Sequence, residues 1–460
     1  STAWDSSRTQ TYDAFGRPEA EHHRRAAKGA GASAGATNSI YQRYNAYGYV
    51  HAIERSEDGA ATALAVWQAQ AMDAELRVTQ EVLGNGIVTT RGYNAYTGRL
   101  NTITSGPGAS HQNDSYDYDE IGNLSSRAQL AATSGSAVSE TFAYDELNRL
   151  SGSTVAGQAL KSATYTDIGN LATKGGVGSY AYNPQGPGSV QPHAVQSISG
   201  TVAGLANPGF SYDANGNLLT GLARSYGWTS FNMPASVSKL SGASAVERTD
   251  FVYDAEHQRA RQTVSPVSGG VTGAATRVIW YAGAQEKEID AANNRTLIRL
   301  RLPMNVGFVE ETLAGTAPAP TATGTRQPHY MLEDHLGSSI VVLDQAQTVL
   351  QRMSYDAWGR RRNTDGTDDA GALWGTLKNN EDHSGYTGHE QLDQLALVHM
   401  NGRLYDPLIG RHTSADPTVP DPEDQQALNR YSYVLNNALV FVDPSGLQAR
   451  ALDTAQTRRA

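Results

Sequence analysis

Apolar residues along this chain alternate with polar ones in short stretches, and Gly, Asn, Asp or Pro break each stretch after a few residues. Val278-Ile279-Trp280-Tyr281 and Ile340-Val341-Val342-Leu343 are β-rich runs bounded by turn residues. Helical signals are few. Ala60 to Leu76 is Ala-rich and reads equally as a helix or as a degenerate hairpin. Gly29–Ala36 and Gly315–Thr325 are rich in Gly, Ala, Pro and Thr and read as loops, the second dividing a repeat region from a C-terminal region.

A repeat accounts for the alternation. Tyr12-Asp13-Ala14-Phe15-Gly16-Arg17 opens it, and Tyr118-Asp119-Glu120-Ile121-Gly122-Asn123-Leu124 is a full copy. Others start at Tyr93, Tyr144, Tyr165, Tyr212 and Tyr355, with weaker ones at Tyr253 and Tyr405. The consensus is Tyr-Asp-x-x-Gly-Arg/Asn-Leu. Tyr118, Tyr144 and Tyr165 are 26 and 21 residues apart, a supersecondary period rather than a domain period. The Asp can accept backbone N–H groups two residues on and close an Asx turn. The Gly supplies the positive φ of a hairpin turn. The Tyr before the turn and the Leu after it can meet across the strand pair. Each unit therefore predicts a β-hairpin, and neighbouring hairpins predict one long antiparallel sheet.

Composition narrows the class. The 460 residues include 46 Gly, 17 Pro and 23 Tyr against 7 Phe, which suits short strands and many turns and excludes a coiled coil, a helical bundle or a collagen-like rod. The absence of cysteine excludes a disulfide scaffold, a thiol nucleophile and any Cys-based metal site. A net charge of −10 argues against a nucleic-acid-coating surface. No apolar stretch is long enough for a transmembrane helix. Ser1-Thr2-Ala3-Trp4 carries neither a signal peptide nor a starting Met, so the chain reads as a trimmed, processed or internal piece.

The C-terminal stretch holds denser motifs. They include Glu333-Asp334-His335-Leu336-Gly337, Gly388-His389-Glu390-Gln391-Leu392-Asp393, His399-Met400-Asn401-Gly402-Arg403 and Tyr405-Asp406-Pro407-Leu408-Ile409-Gly410-Arg411. Ser414-Ala415-Asp416-Pro417, Asn429-Arg430-Tyr431-Ser432-Tyr433 and Asp443-Pro444-Ser445-Gly446-Leu447 follow. With the Tyr-Asp repeats, this series resembles the Rhs/YD-repeat proteins: bacterial Rhs proteins, C components of Tc toxin complexes and animal teneurins. Its end resembles the Rhs-associated core domain of polymorphic toxins.

The resemblance implies an all-β fold of YD-repeat hairpins spiralling into a hollow shell, with a core domain as end plug. It implies a shell region over 1–325, a core and autoprotease domain over 326–447, and a stub over 448–460. It also implies an aspartyl autoprotease acting once, on its own chain, between Leu447 and Gln448, to free a C-terminal toxin effector held in the shell. Such a protein is bacterial, made in the cytoplasm and exported by a delivery system. Repeats over about 325 residues are few for a closed cavity, so a second shell-forming chain or an N-terminal part is an expected partner. No cofactor, metal, nucleic acid or membrane span is expected.

Two carboxyl groups sharing a proton can act as base and acid on a peptide bond. Asp443 lies four residues before Leu447, and Asp416 lies 27 residues before Asp443. The resemblance matches these two to the family's paired Asp-Pro motifs. Arg411 is the candidate to hold a carboxylate or polarise the carbonyl, with Arg430 ranked after it. Each Asp-Pro also reads as a simple turn. Asp416-Pro417-Thr418-Val419-Pro420 lacks the Gly that many relatives have, Ala438 stands where Pro is usual, and His412 where a large apolar residue is frequent. His389-Glu390 spells half a zinc motif, and Gly31-Ala32-Ser33-Ala34-Gly35 spells a nucleophile elbow in a low-complexity tract. The rival expectation is a carbohydrate-binding or adhesion module with an exposed Tyr face and no cut.

Overall fold

The computed structural model describes residues 5–26, 37–130, 137–316, 321–322, 326–379, 381–419 and 421–451. Two large antiparallel sheets dominate. The first has sixteen strands in chain order, from Asp5–Tyr12 to Val195–Ser199, each hydrogen-bonded to its sequence neighbours. The second runs from Ser211–Tyr212 to Val349–Arg352 in the same manner. Between Met353 and Val442 the strands shorten. A four-stranded sheet is built there from Glu390–Leu392, Leu397–Met400, Arg403–Asp406 and Arg411–His412. Among the described residues the only helical pieces are short 3-10 turns, such as Tyr386–Gly388.

The repeat forms its turn as the consensus predicts. In the copy at Asp145, the Arg149 N–H and the Leu147 N–H donate to Asp145 Oδ1 at 3.0 Å. Arg149 Nε reaches Asp145 Oδ2 at 2.7 Å. Asn148 takes the glycine position at φ 61, a left-handed conformation that Asn tolerates better than other side chains. Tyr144 stands opposite Leu150 in the strand register, as Tyr118 stands opposite Leu124.

The repeats are also tied to each other. The Tyr165 hydroxyl donates to the Leu150 carbonyl of the preceding unit at 2.7 Å, and Tyr144 to Leu124 at 2.9 Å. The Arg of one turn lies over the Tyr ring of the next, with Arg17 4.2 Å from Tyr44 and Arg149 4.2 Å from Tyr165. The repeat tyrosines thus serve as rivets between hairpins. Residues two after the turn Asp or Asn point outward instead: Phe15, Tyr47 and Tyr96 are 83%, 85% and 98% exposed.

Both readings of Ala60–Leu76 are resolved in favour of the hairpin. Leu64–Met72 is a strand pairing with Val50–Glu57 on one side and Val78–Leu83 on the other. Pairing on both edges overrides the helix propensity of its alanines. Gly29–Ala36 lies outside the described residues. In the second loop, Thr321–Ala322 adds a short strand to Gly307–Ala314, which also pairs with Gln327–Glu333.

Two buried apolar clusters each draw on both sheets and on the C-terminal segment. One joins Ile53 and Trp67 to Phe308 and Val341 and to Tyr386, Tyr405 and Tyr433. The other joins Leu124 and Leu171 to Leu218 and Val237 and to Leu397, Leu404 and Leu439. Hydrogen bonds follow the same route: Lys174 donates to the Leu408 carbonyl at 2.9 Å, and Tyr431 to the Gly216 carbonyl at 2.7 Å. The C-terminal segment therefore packs between the inner faces of the two sheets.

Candidate functional site

Asp443-Pro444-Ser445-Gly446-Leu447 folds as a repeat-type turn. Gly446, at φ 74, donates its N–H to the Asp443 carbonyl at 3.3 Å, and the Leu447 N–H donates to Asp443 Oδ1 at 3.0 Å. The Gln448 N–H joins it on the same oxygen at 2.9 Å. Both amides flanking the Leu447 carbonyl thus converge on one carboxylate. Beyond the turn, Arg450–Ala451 pairs back on Phe441–Val442. Asp443 is 2% exposed, while Gln448 faces solvent.

The second oxygen of Asp443 faces Arg403. Arg403 opens the strand Arg403–Asp406, just after the two-residue hairpin Asn401–Gly402. Its Nη2 lies 3.3 Å from Asp443 Oδ2 and 2.9 Å from Asp416 Oδ2, so one guanidinium nitrogen bridges the two carboxylates. Its Nε donates to the Gly446 carbonyl and its Nη1 to the Arg430 carbonyl at 3.0 Å. Burial pushes the Arg403 guanidinium below its ordinary value, against the pull of Asp416 and Asp443. Asp416 is held separately: Thr418 donates its N–H and its hydroxyl to Asp416 Oδ1, both at 2.8 Å. The Asp416 N–H donates to the Arg430 carbonyl at 2.9 Å.

Asp416, Asp443, Leu447 and Gln448 are thus assembled, and Arg411 is not among them. The Arg411 Nη2 donates to the His193 carbonyl at 2.7 Å and to Asn429 Oδ1 at 3.1 Å, and its guanidinium stands between the Tyr182 and Tyr431 rings. Arg403 occupies the place expected for Arg411. Arg430 touches the site through the backbone, its Nε donating to the Asp416 carbonyl. In the sequence, Arg403 closes the motif His399-Met400-Asn401-Gly402-Arg403, at a distance from either aspartate that assigns it no role. A signal was present, since Asn401-Gly402 spells a hairpin that aims the next residue across a strand pair.

The histidines around the site are buried. His389 Nδ1 pairs with the Thr387 hydroxyl at 2.9 Å and its Nε2 with the Pro444 carbonyl at 3.3 Å, while Glu390 receives the Tyr281 hydroxyl at 3.0 Å. The half zinc motif is thus spent on hydrogen bonds, and no cluster of metal-ligating side chains occurs among the described residues. Burial drives His412 and His399 well below the ordinary imidazole value. The Gly31–Gly35 spelling lies outside the described residues.

Tyr-Asp turns, hairpins paired in chain order and a C-terminal segment laid against both sheets are the features of a YD shell, and the chain has that fold. Residues 321–440 match the family model described as the teneurin YD-shell. The toxin subunit YenC1 of Yersinia entomophaga is 27% identical over 418 residues, covering 80% of this chain and 41% of YenC1. The tRNA nuclease WapA of Bacillus subtilis strain 168 is 24% identical over 306 residues, covering 66% of this chain and 12% of WapA. This chain spans less than half the length of either relative. The crystal structure of TcdB2-TccC3-Cdc42 superposes on 95% of this chain and 23% of its own, with TM-score 0.70 and 18% identity. That of TcdB2-TccC3 gives TM-score 0.68 at 18% identity, covering 95% and 24%. These two likenesses are of fold. No helix among the described residues is long and apolar enough to cross a membrane.

Proposed function

We propose that this chain is the shell-and-protease part of a bacterial Rhs-type toxin, which cuts itself after Leu447 to free a C-terminal effector. The observation carrying this reading is the double donation of Leu447 N–H and Gln448 N–H to Asp443, with Arg403 bridging Asp443 to Asp416. In the reaction, water adds to the Leu447 carbonyl carbon and yields its proton to Asp416. The Leu447–Gln448 bond breaks, and Asp443 delivers a proton to the departing Gln448 nitrogen. The pair enters with one proton and leaves with one, and one water is consumed. Arg403 keeps two buried carboxyl groups at one place, where two bare negative charges would repel. Residues 326–447 would form the protease unit and 1–325 the shell wall, completed by a partner chain or an N-terminal part. Synthesis in a bacterial cytoplasm and export are part of the same proposal, in keeping with the toxin subunit among its relatives.

Denaturing intact mass tests it. Wild type should lose Gln448–Ala460, while Asp443→Asn and Asp416→Asn should stay whole. An uncut wild type would leave both aspartates as turn residues. A second reading, a carbohydrate-binding or adhesion surface, draws support from Phe15, Tyr47 and Tyr96 exposed at the turn tips. It predicts glycan binding lost in Tyr47→Ala and Tyr96→Ala.

A further inference from the structure

Three successive carbonyls upstream of the Leu447–Gln448 bond are each met by successive residues of one hairpin. Asn401 Nδ2 donates to the Pro444 carbonyl at 3.1 Å. The Gly402 N–H donates to the Ser445 carbonyl at 2.9 Å. Arg403 Nε donates to the Gly446 carbonyl. The pairing is one to one and in register, so sliding the 443–447 segment by a residue would break all three bonds. His389 adds a second contact to the Pro444 carbonyl at 3.3 Å.

Gly402 has no left-handed φ to explain it, whereas Asn401 beside it sits at φ 58. Its reason is space. A Cβ at 402 would lie 2.8 Å from Leu447 Cγ, 3.0 Å from Leu447 Cδ2 and 3.0 Å from the Ser445 oxygen. Such distances force the Leu447 side chain or the turn to move. Gly446 seals the contact from the other side, since a Cβ there would run into the Met400 carbonyl.

We propose that the Asn401–Gly402 hairpin is the substrate clamp of the self-cleavage reaction, and that bare Gly402 is the seat for the Leu447 side chain. The clamp sets the register that presents the Leu447–Gln448 bond, with Asp443 in the same turn, to Arg403 and Asp416. It rests on the self-cleavage reading given above. Neither Gly402 nor Asn401 takes part in proton transfer; both position the chain that is cut.

The experiment is a cleavage time course by intact mass on the 460-residue chain made by cell-free translation. Gly402→Ala should slow the cut on the order of a hundredfold, the loss a displacement near 1 Å produces. Adding Leu447→Ala to Gly402→Ala removes the clashing Cγ and Cδ atoms and should restore much of the rate. Asn401→Ala, which disturbs no packing, should slow it by about tenfold. A wild type that does not cut would bring down the self-cleavage reading and the clamp with it. A cutting wild type with Gly402→Ala and Asn401→Ala at the same rate would overturn the clamp alone. Failure of Leu447→Ala to rescue a folded Gly402→Ala would overturn the seat.

Discussion

At Asp145 a carboxylate takes two backbone N–H groups on one oxygen and its own turn's arginine, Arg149, on the other. At Asp443 the turn is closed alike by the Gly446 N–H on the Asp443 carbonyl, with Gly446 and Leu447 standing where Asn148 and Arg149 stand in the repeat, but the carboxylate takes the N–H groups of Leu447 and Gln448. The side chain four residues after the Asp is now Leu, which cannot reach back. The free oxygen is served from another hairpin by Arg403, which brings Asp416 with it. One turn is closed on itself and half-exposed. The other is buried, 2% exposed at its Asp, and completed from outside. A structural unit becomes a candidate site by losing its internal partner and gaining an external one.

The largest expected effect comes from removing that external partner. Arg403→Ala leaves two buried carboxylates facing each other and should cost about 3–5 kcal/mol in urea unfolding, with no cut at Leu447. Converting the site turn into a repeat turn comes next. Leu447→Arg should draw Asp443 Oδ2 away from Arg403 and slow the cut by about tenfold or more at little change in melting temperature. In the repeat, Arg149→Ala removes an ion pair and the stack on Tyr165, and should cost about 1 kcal/mol by denaturant titration. Tyr165→Phe removes only the bond to the Leu150 carbonyl and should cost about as much or slightly less. Asn148→Gly restores the consensus at a left-handed position, and its stability change should stay within about 0.5 kcal/mol.

Acid sensitivity separates a further buried carboxyl from those in the repeat turns. Burial raises Asp114 to about 7, with Asp334 adding to the effect, whereas at Asp119 the upward push of burial is outweighed by the combined hydrogen bonds from Asn123, Gly122 and Ile121, which hold it below its ordinary value. The folded state therefore binds a proton at Asp114 that the unfolded chain releases near pH 4. That contribution is complete below pH 4 and is lost as pH rises to about 7. Asp114→Asn should flatten this slope and raise the melting temperature at pH 8.

The repeat was legible because its logic is local. Tyr, Asp and Gly each act within seven residues, so spacing alone predicts the turn, the cross-strand Tyr–Leu pair and the sheet. Leu64–Met72 was not, because alanine carries no pattern and only neighbouring strands decide its state. The two aspartates and the Leu447–Gln448 bond are singled out by their motifs, and the structure brings them together around Arg403. The choice among Arg403, Arg411 and Arg430 was not local. Arg411 lies five residues from Asp416, yet its side chain runs to His193 in the first sheet, while Arg403 arrives across a hairpin.

The rivets between repeats also give synthesis a direction. Tyr144 and Tyr165 reach back to carbonyls of the units made before them, and Arg17 and Arg149 wait for the rings of the units made after them. A hairpin leaving the ribosome can dock at once on the growing edge, its Tyr bonding back to the unit already made. The exception is the segment from Met353 to Val442, which is translated after both walls and lies between them. Until it arrives the two walls lack the filling that their buried faces share. A segment made after both walls is thus the one that fills the space between them.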